Sequence, residues 1–142
     1  MSERSKLKVR DIMQTDVHTL GRNDKLSVAD ELMRSKEIRH VPVIDEDGKV
    51  CAIVSQRSLY RGALLKAMGY GSHMVDKLFD NYRVKEAMSN ELHTTTPETP
   101  IHEAASAILE HKIGCLPVLD DRKLIGIVTK SDFLKLAADS AG

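Results

Sequence analysis

Val41-Pro42-Val43-Ile44-Asp45, followed by Val50-Cys51-Ala52-Ile53-Val54-Ser55, reads as two β-rich runs joined by a short polar link. Glu46-Asp47-Gly48 supplies hairpin turn chemistry between them. The chain writes this pattern again as Leu116-Pro117-Val118-Leu119-Asp120 and Leu124-Ile125-Gly126-Ile127-Val128-Thr129. Working outward, the repetition persists. Val9-Arg10-Asp11-Ile12-Met13 opens one copy and Val84-Lys85-Glu86-Ala87-Met88 opens the other, and each continues into a His-Thr step, His18-Thr19 or His93-Thr94. The offset is 75 residues up to the Pro-Val pair (Val41 against Leu116) and 74 after it (Val54 against Val128), because Gly48 has no counterpart. Two copies of one unit can pack symmetrically, and the seam between them is a natural pocket.

Both copies show the same order of elements. Residues 16–20 form a short extended stretch and 21–25 are polar turn material. Leu26, Val28, Ala29, Leu32 and Met33 then recur at amphipathic helical spacing, as do Ile101, Ala104, Ala105, Ile108 and Leu109. Thr99 suits the N-cap of the second helix and Pro100 its first position. Strands are predicted over 41–44 and 49–55, with a helix after each hairpin. The unit is β-α-β-β-α, and its first strand must join the sheet through a helical crossover, giving an α/β fold with mixed sheets flanked by helices. The segment 62–83 between the copies carries two apolar stripes, Ala63, Leu64, Leu65, Ala67 and Met68, then Met74, Val75, Leu78 and Phe79, interrupted by Gly69-Tyr70-Gly71-Ser72. These stripes suit packing against the repeats or a subunit interface.

Composition narrows the function. The 142 residues suffice for a single compact module. Lys and Arg total 21 and so do Asp and Glu, which removes the usual argument for nucleic-acid or acidic-membrane partners. Two cysteines without CxxC spacing, Cys51 and Cys115, read as reduced core residues of a cytoplasmic protein. The polar N-terminus points to neither a signal peptide nor a membrane span.

The paired pattern of a Met-ended opening, a helix, hydrophobic-Pro-Val-hydrophobic-Asp, and Gly126-Ile127-Val128-Thr129-Lys130-Ser131-Asp132 resembles a tandem pair of cystathionine-β-synthase (CBS) domains, a Bateman module. The resemblance covers 9–62 and 84–136 as two repeats, with 63–83 as an inter-repeat helical segment in one module. It implies two repeats packed through their sheets with pseudo-twofold symmetry, and a regulatory role without catalysis. It further implies an adenosine-containing ligand (AMP, ADP, ATP, S-adenosylmethionine or NAD) held between the repeats, a disc-like homodimer, and an effector protein that senses occupancy. No cofactor is required.

The chemistry of the implied site can be read from residues. The strand ending at Thr129 runs into a helix expected to begin near Phe133, and a helix start favours phosphate. Thr129 and Ser131 offer hydroxyls, and the Asp132 carboxylate can accept from two ribose hydroxyls. The family assigns those roles to Asp132, Thr129 and Ser131, with Ile127 beside them. Equally, Thr129-x-x-Asp132 has the form of a capping box that needs no ligand. By the resemblance, Met13, His18, Ile38, Arg39, His40 and Cys115 wall the same cleft. Repeat 1 departs at the decisive place: Ser55, Arg57 and Ser58 stand where Thr129, Ser131 and Asp132 do, with Ser58 replacing the carboxylate. That second cleft, which includes His93, is expected to hold ribose poorly. Spacing among His18, His40, His73, His93, His102 and His111 matches no metal motif, and no catalytic signature is visible. A ligand-free dimerising scaffold is the competing reading.

Overall fold

The computed structural model describes residues 6–67, 77 and 79–139, with the helix backbone alone at 62–67. In chain order the elements are α1 (Val9–Ile12), β1 (Leu20–Gly21), α2 (Leu26–Lys36), β2 (His40–Ile44), β3 (Val50–Ser55) and α3 (Gln56–Ala67). A 3₁₀ turn (Val84–Glu86) follows, then α4 (Ile101–His111), β4 (Cys115–Asp120), β5 (Lys123–Thr129) and α5 (Lys130–Asp139). They form two compact units: His18–Leu92, and the stretch up to Val17 together with the chain from His93 onward.

In the first unit the strand order is β1-β2-β3. β1 runs parallel to β2 at Leu20↔Val43, and β2 pairs antiparallel with β3 from His40↔Ser55 to Ile44↔Val50. Ser89, just past the second opening segment, adds an antiparallel bridge: its N–H donates to Ile53 O at 2.8 Å, and Ile53 N–H donates back at 3.2 Å. The helices cover this sheet. Met33 from α2, Leu59 from α3, Val41, Val43, Ala52, Val54, Phe79 and Val84 form its buried core. Burying each of the larger side chains contributes about 1.5–3 kcal/mol.

The second unit repeats this plan with chain from both ends. β4 and β5 pair antiparallel from Cys115↔Thr129 to Asp120↔Lys123. Thr95 bridges parallel onto Val118, its N–H reaching Pro117 O at 2.9 Å. A proline can hold this position because it supplies only its carbonyl there. On the other side of the hairpin, Gln14 bridges Ile127: Gln14 N–H to Ile127 O at 2.9 Å, and Ile127 N–H to Gln14 O at 3.0 Å. Val9 of α1 lies in the core with Ala104, Ile108, Leu116, Val118 and Val128. Thus the opening segment of each copy pairs with the hairpin of the other.

Local expectations shift in instructive ways. The extended stretch over 16–20 reduces to β1, which takes in Gly21, and in the second copy to the Thr95 bridge, since only those residues find a ladder partner. α4 starts one residue late, with Pro100 at the N-cap, while Thr99 Oγ1 pairs with Thr96 Oγ1 at 2.7 Å. α5 begins at Lys130 instead of near Phe133. Val28 faces outward, 46% exposed. α3 continues from the first repeat to Ala67, into the intervening segment, and Phe79 is buried with its ring edge-on to Tyr60 at 5.5 Å. Met68, Gly69 to Ser72, Met74, Val75 and Leu78 lie outside the described residues.

The two hairpins close differently. Gly48 takes φ +80° in the first. The second has one residue fewer and turns on Asp121 (φ 51°) and Arg122 (φ 69°). Both are non-glycine residues in the left-handed region that a two-residue type I′ link demands.

Candidate functional site

The end of β5 and the first turn of α5 place Thr129, Ser131 and Asp132 together. Asp132 is 7% exposed, an unusual state for a carboxylate, and its oxygens are engaged. Thr129 N–H donates to Asp132 Oδ2 at 2.8 Å, and Thr129 Oγ1 lies 3.4 Å from the same oxygen. This is one half of a capping box, so the capping reading holds. It is not the whole arrangement. The side-chain amide of Gln14 donates to Asp132 Oδ1 at 3.1 Å and Oδ2 at 3.3 Å. Thr129 Oγ1 and Ser131 Oγ are 2.8 Å apart, with Ser131 exposed. Lys130 N–H is committed to Gly114 O at 3.2 Å. With two N–H groups at this helix start already used, the hydroxyls of Thr129 and Ser131 become the more prominent donors for an anion.

Gly126 explains how Gln14 reaches this place. A Cβ there would meet Met13 Sδ at 2.8 Å and Gln14 O at 3.0 Å. Only a residue without a side chain lets the opening segment lie against β5. Met13 is half-buried on the second unit's core, and Ile127 is 7% exposed with both backbone groups in the Gln14 bridge. Cys115 is 4% exposed, and burial pushes its thiol pKa up to about 12. These residues share one unit. His18, Ile38, Arg39 and His40 belong to the other: Ile38 packs against its core, Arg39 is exposed, and His40 opens β2 opposite Ser55.

At the equivalent place in the first unit, Ser58 replaces Asp132 and closes a reciprocal cap. Ser55 N–H donates to Ser58 Oγ at 3.1 Å, Ser58 N–H to Ser55 Oγ at 3.0 Å, and Ser58 Oγ–H to Ser55 O at 2.9 Å. Arg57 is exposed. His93 lies in the second unit, its ring stacked on that of His111 with centroids 3.7 Å apart and 14° between planes.

Sequence reasoning missed two groups. Gln14 sits 118 positions from Asp132, and no local pattern marks it. The one available signal was the offset between copies, which sets Gln14 against Ser89 as it sets Asp132 against Ser58. The His93–His111 pair, 18 positions apart, likewise arises only by folding.

The CBS domain family model matches residues 9–64 and 84–139. Among solved structures, a Vibrio cholerae protein provisionally assigned to acetoin utilization (AcuB) is 35% identical with TM-score 0.76, covering 94% of this chain and 91% of that one. The CBS domain pair of protein MJ0100, in complex with 5′-methylthioadenosine and S-adenosyl-L-methionine, is 25% identical with TM-score 0.75, covering 93% and 96%. CBSX2 in complex with AMP is 27% identical with TM-score 0.73, covering 94% and 97%. Curated relatives include a homoserine O-acetyltransferase of Methanohalobium evestigatum, 32% identical over 90% of this chain but only 24% of its own length. The chain spans from 14% to 42% of the first three such relatives, so what they share with it is a part of each.

Proposed function

This chain belongs to the CBS domain family, and on that premise we propose that it is a non-catalytic regulatory module for an adenosine-containing ligand, held at Asp132. The observation that carries the reading is the Asp132 carboxylate, buried at the head of α5 and supplied with donors. Ribose hydroxyls take the place of the Gln14 amide on that carboxylate, exchanging two neutral donors for two others at little net cost. Thr129 and Ser131 donate to phosphate or to the polar tail of the ligand, and Met13 and Ile127 contribute apolar surface. The engaged hydroxyl of Ser58 supports a single competent ribose site, with the Ser55, Arg57 and Ser58 region the weaker one. The adenosine compounds bound by the MJ0100 pair and by CBSX2 support the ligand class.

For occupancy to signal, the ligand must bind one arrangement of the module better than another. The effector reads that shift, in the cytoplasm and through a homodimer. Leu109 on α4 and Leu134 on α5, 76% and 70% exposed, support a self-association face, and they equally favour the alternative of a ligand-free dimerising scaffold. Among the described residues no helix is long and apolar enough to cross a membrane.

A thermal-shift panel with AMP, ADP, ATP, S-adenosylmethionine and NAD tests the proposal. Ligand at a hundred times its dissociation constant adds about 2.7 kcal/mol, a shift of several degrees. No shift with any of the five at millimolar concentration leaves only the scaffold reading.

A further inference from the structure

We propose that His93 and His111, together with Glu91, bind a divalent transition metal of the zinc class. One ring nitrogen from each histidine lies within 4.8 Å of the other, and Glu91, two residues before His93 on the same strap of chain, belongs to the same ligand set. Two nitrogens at zinc bonding distance and a tetrahedral angle stand about 3.3 Å apart. Rotation of the two side chains closes that gap, because the rings already stack at 3.7 Å.

Imidazole with carboxylate is the donor set of zinc and its neighbours, and not of calcium or magnesium, which take oxygen alone. His111 is the last residue of α4, where the negative end of the helix dipole favours a cation. The metal joins the strap that leads into Thr95 to the end of α4, leaving a fourth position for water or an exogenous ligand.

The duplication supplies an internal comparison. At the 75-residue offset the first copy has Asp16, His18 and Lys36. An ammonium at Lys36 offers no lone pair, so only the second copy can hold the ion. The expectation of no metal site rested on spacing along the chain, and these ligands converge from separate segments.

The test is zinc chloride titration of the untagged, chelator-treated full chain by calorimetry, with cobalt(II) absorption reporting the coordination geometry. One saturable equivalent is expected for the parent chain. His111→Lys, which installs the residue of the first copy, and His93→Gln each weaken uptake by roughly tenfold or more, and Glu91→Gln weakens it less. His102→Gln, on the exposed side of α4, leaves uptake unchanged. Circular dichroism without metal confirms that each variant is folded, and His93→Gln carries the test if His111→Lys is not. Absence of saturable uptake in the parent chain overturns the proposal. So does uptake that survives both histidine variants, or that His102→Gln reduces equally.

Discussion

The side-chain amide of Gln14 donates to both carboxylate oxygens of Asp132, at 3.1 and 3.3 Å, across 118 positions of sequence. The same carboxylate also caps Thr129 N–H at 2.8 Å. One group therefore holds the opening segment of the chain against the head of α5 while presenting the anion that a ribose would require. Its two tasks can be separated by substitution.

Asp132→Asn keeps an oxygen for Thr129 N–H but loses the anion. The variant is expected to melt within a few degrees of the parent chain and to show no thermal shift with the adenosine panel. Ser58→Ala should leave the shift nearly intact. Equal losses in both variants would mean that the competent site has been assigned to the wrong repeat.

Gln14→Glu replaces two donors with a second carboxylate facing the first. Like charges at this distance repel, and each loses a partner, so stability should fall by about 1–3 kcal/mol near neutral pH. Urea unfolding measures the deficit, and Gln14→Ala, which removes the donors without adding a charge, should lose less. Equal losses in the two variants would refute this account.

Gly126→Ala places a methyl 2.8 Å from Met13 Sδ and 3.0 Å from Gln14 O. The sulfur can swing away but the backbone oxygen cannot. A loss of about 1–3 kcal/mol is expected, with Met13→Ala failing to rescue it fully. Amide exchange at Gln14 and Ile127 should quicken in the variant, because their bridge is what the methyl pushes apart.

Arg122→Gly should stabilise the chain. Arg122 holds φ 69° in the two-residue link between β4 and β5, where an L side chain crowds its own carbonyl. Relief of that strain, offset by the added freedom of the unfolded chain, leaves about 0.5–1 kcal/mol, or a rise of a few degrees in melting temperature. Calorimetry showing an unchanged or lower Tm would count against a strained turn.

Cys115 should resist alkylation. Burial raises its thiol to about 12, so almost no thiolate exists at pH 8 in the folded chain. The linkage has a definite sign. The folded thiol keeps its proton where the unfolded one, with its ordinary value of 9.0, has lost it. Stability from this group is fully present below about pH 9 and is lost as pH rises toward 12. Rapid labelling of native Cys115 by iodoacetamide at pH 8 would contradict it.

Much of this protein is legible along the chain. Hairpin periodicity, the Pro-Val pairs and the amphipathic stretches of α2 and α4 are local signals, and their repetition identifies the β-α-β-β-α units. Thr129, Ser131 and Asp132 were equally visible, because a strand running into a helix brings them together whatever the rest of the chain does. The contrast between Asp132 and Ser58 needed only the alignment of one copy on the other. The start of α2 at Leu26 matched, while those of α4 and α5 were off by one and three residues, since caps depend on which backbone groups find partners.

Three features were decided only by tertiary structure. Each opening segment is too short to hold itself and completes its ladder on the hairpin of the other copy, Gln14 on Ile127 and Ser89 on Ile53. Gln14 thereby reaches Asp132, and His93 meets His111 at the end of α4. Sequence by itself determined the repeated unit and the grouping of Thr129, Ser131 and Asp132 at the head of α5, because those patterns are local. Folding decided which copy completes which sheet and what stands opposite the carboxylate, because unpaired strand edges are satisfied by whatever chain the long-range packing delivers to them.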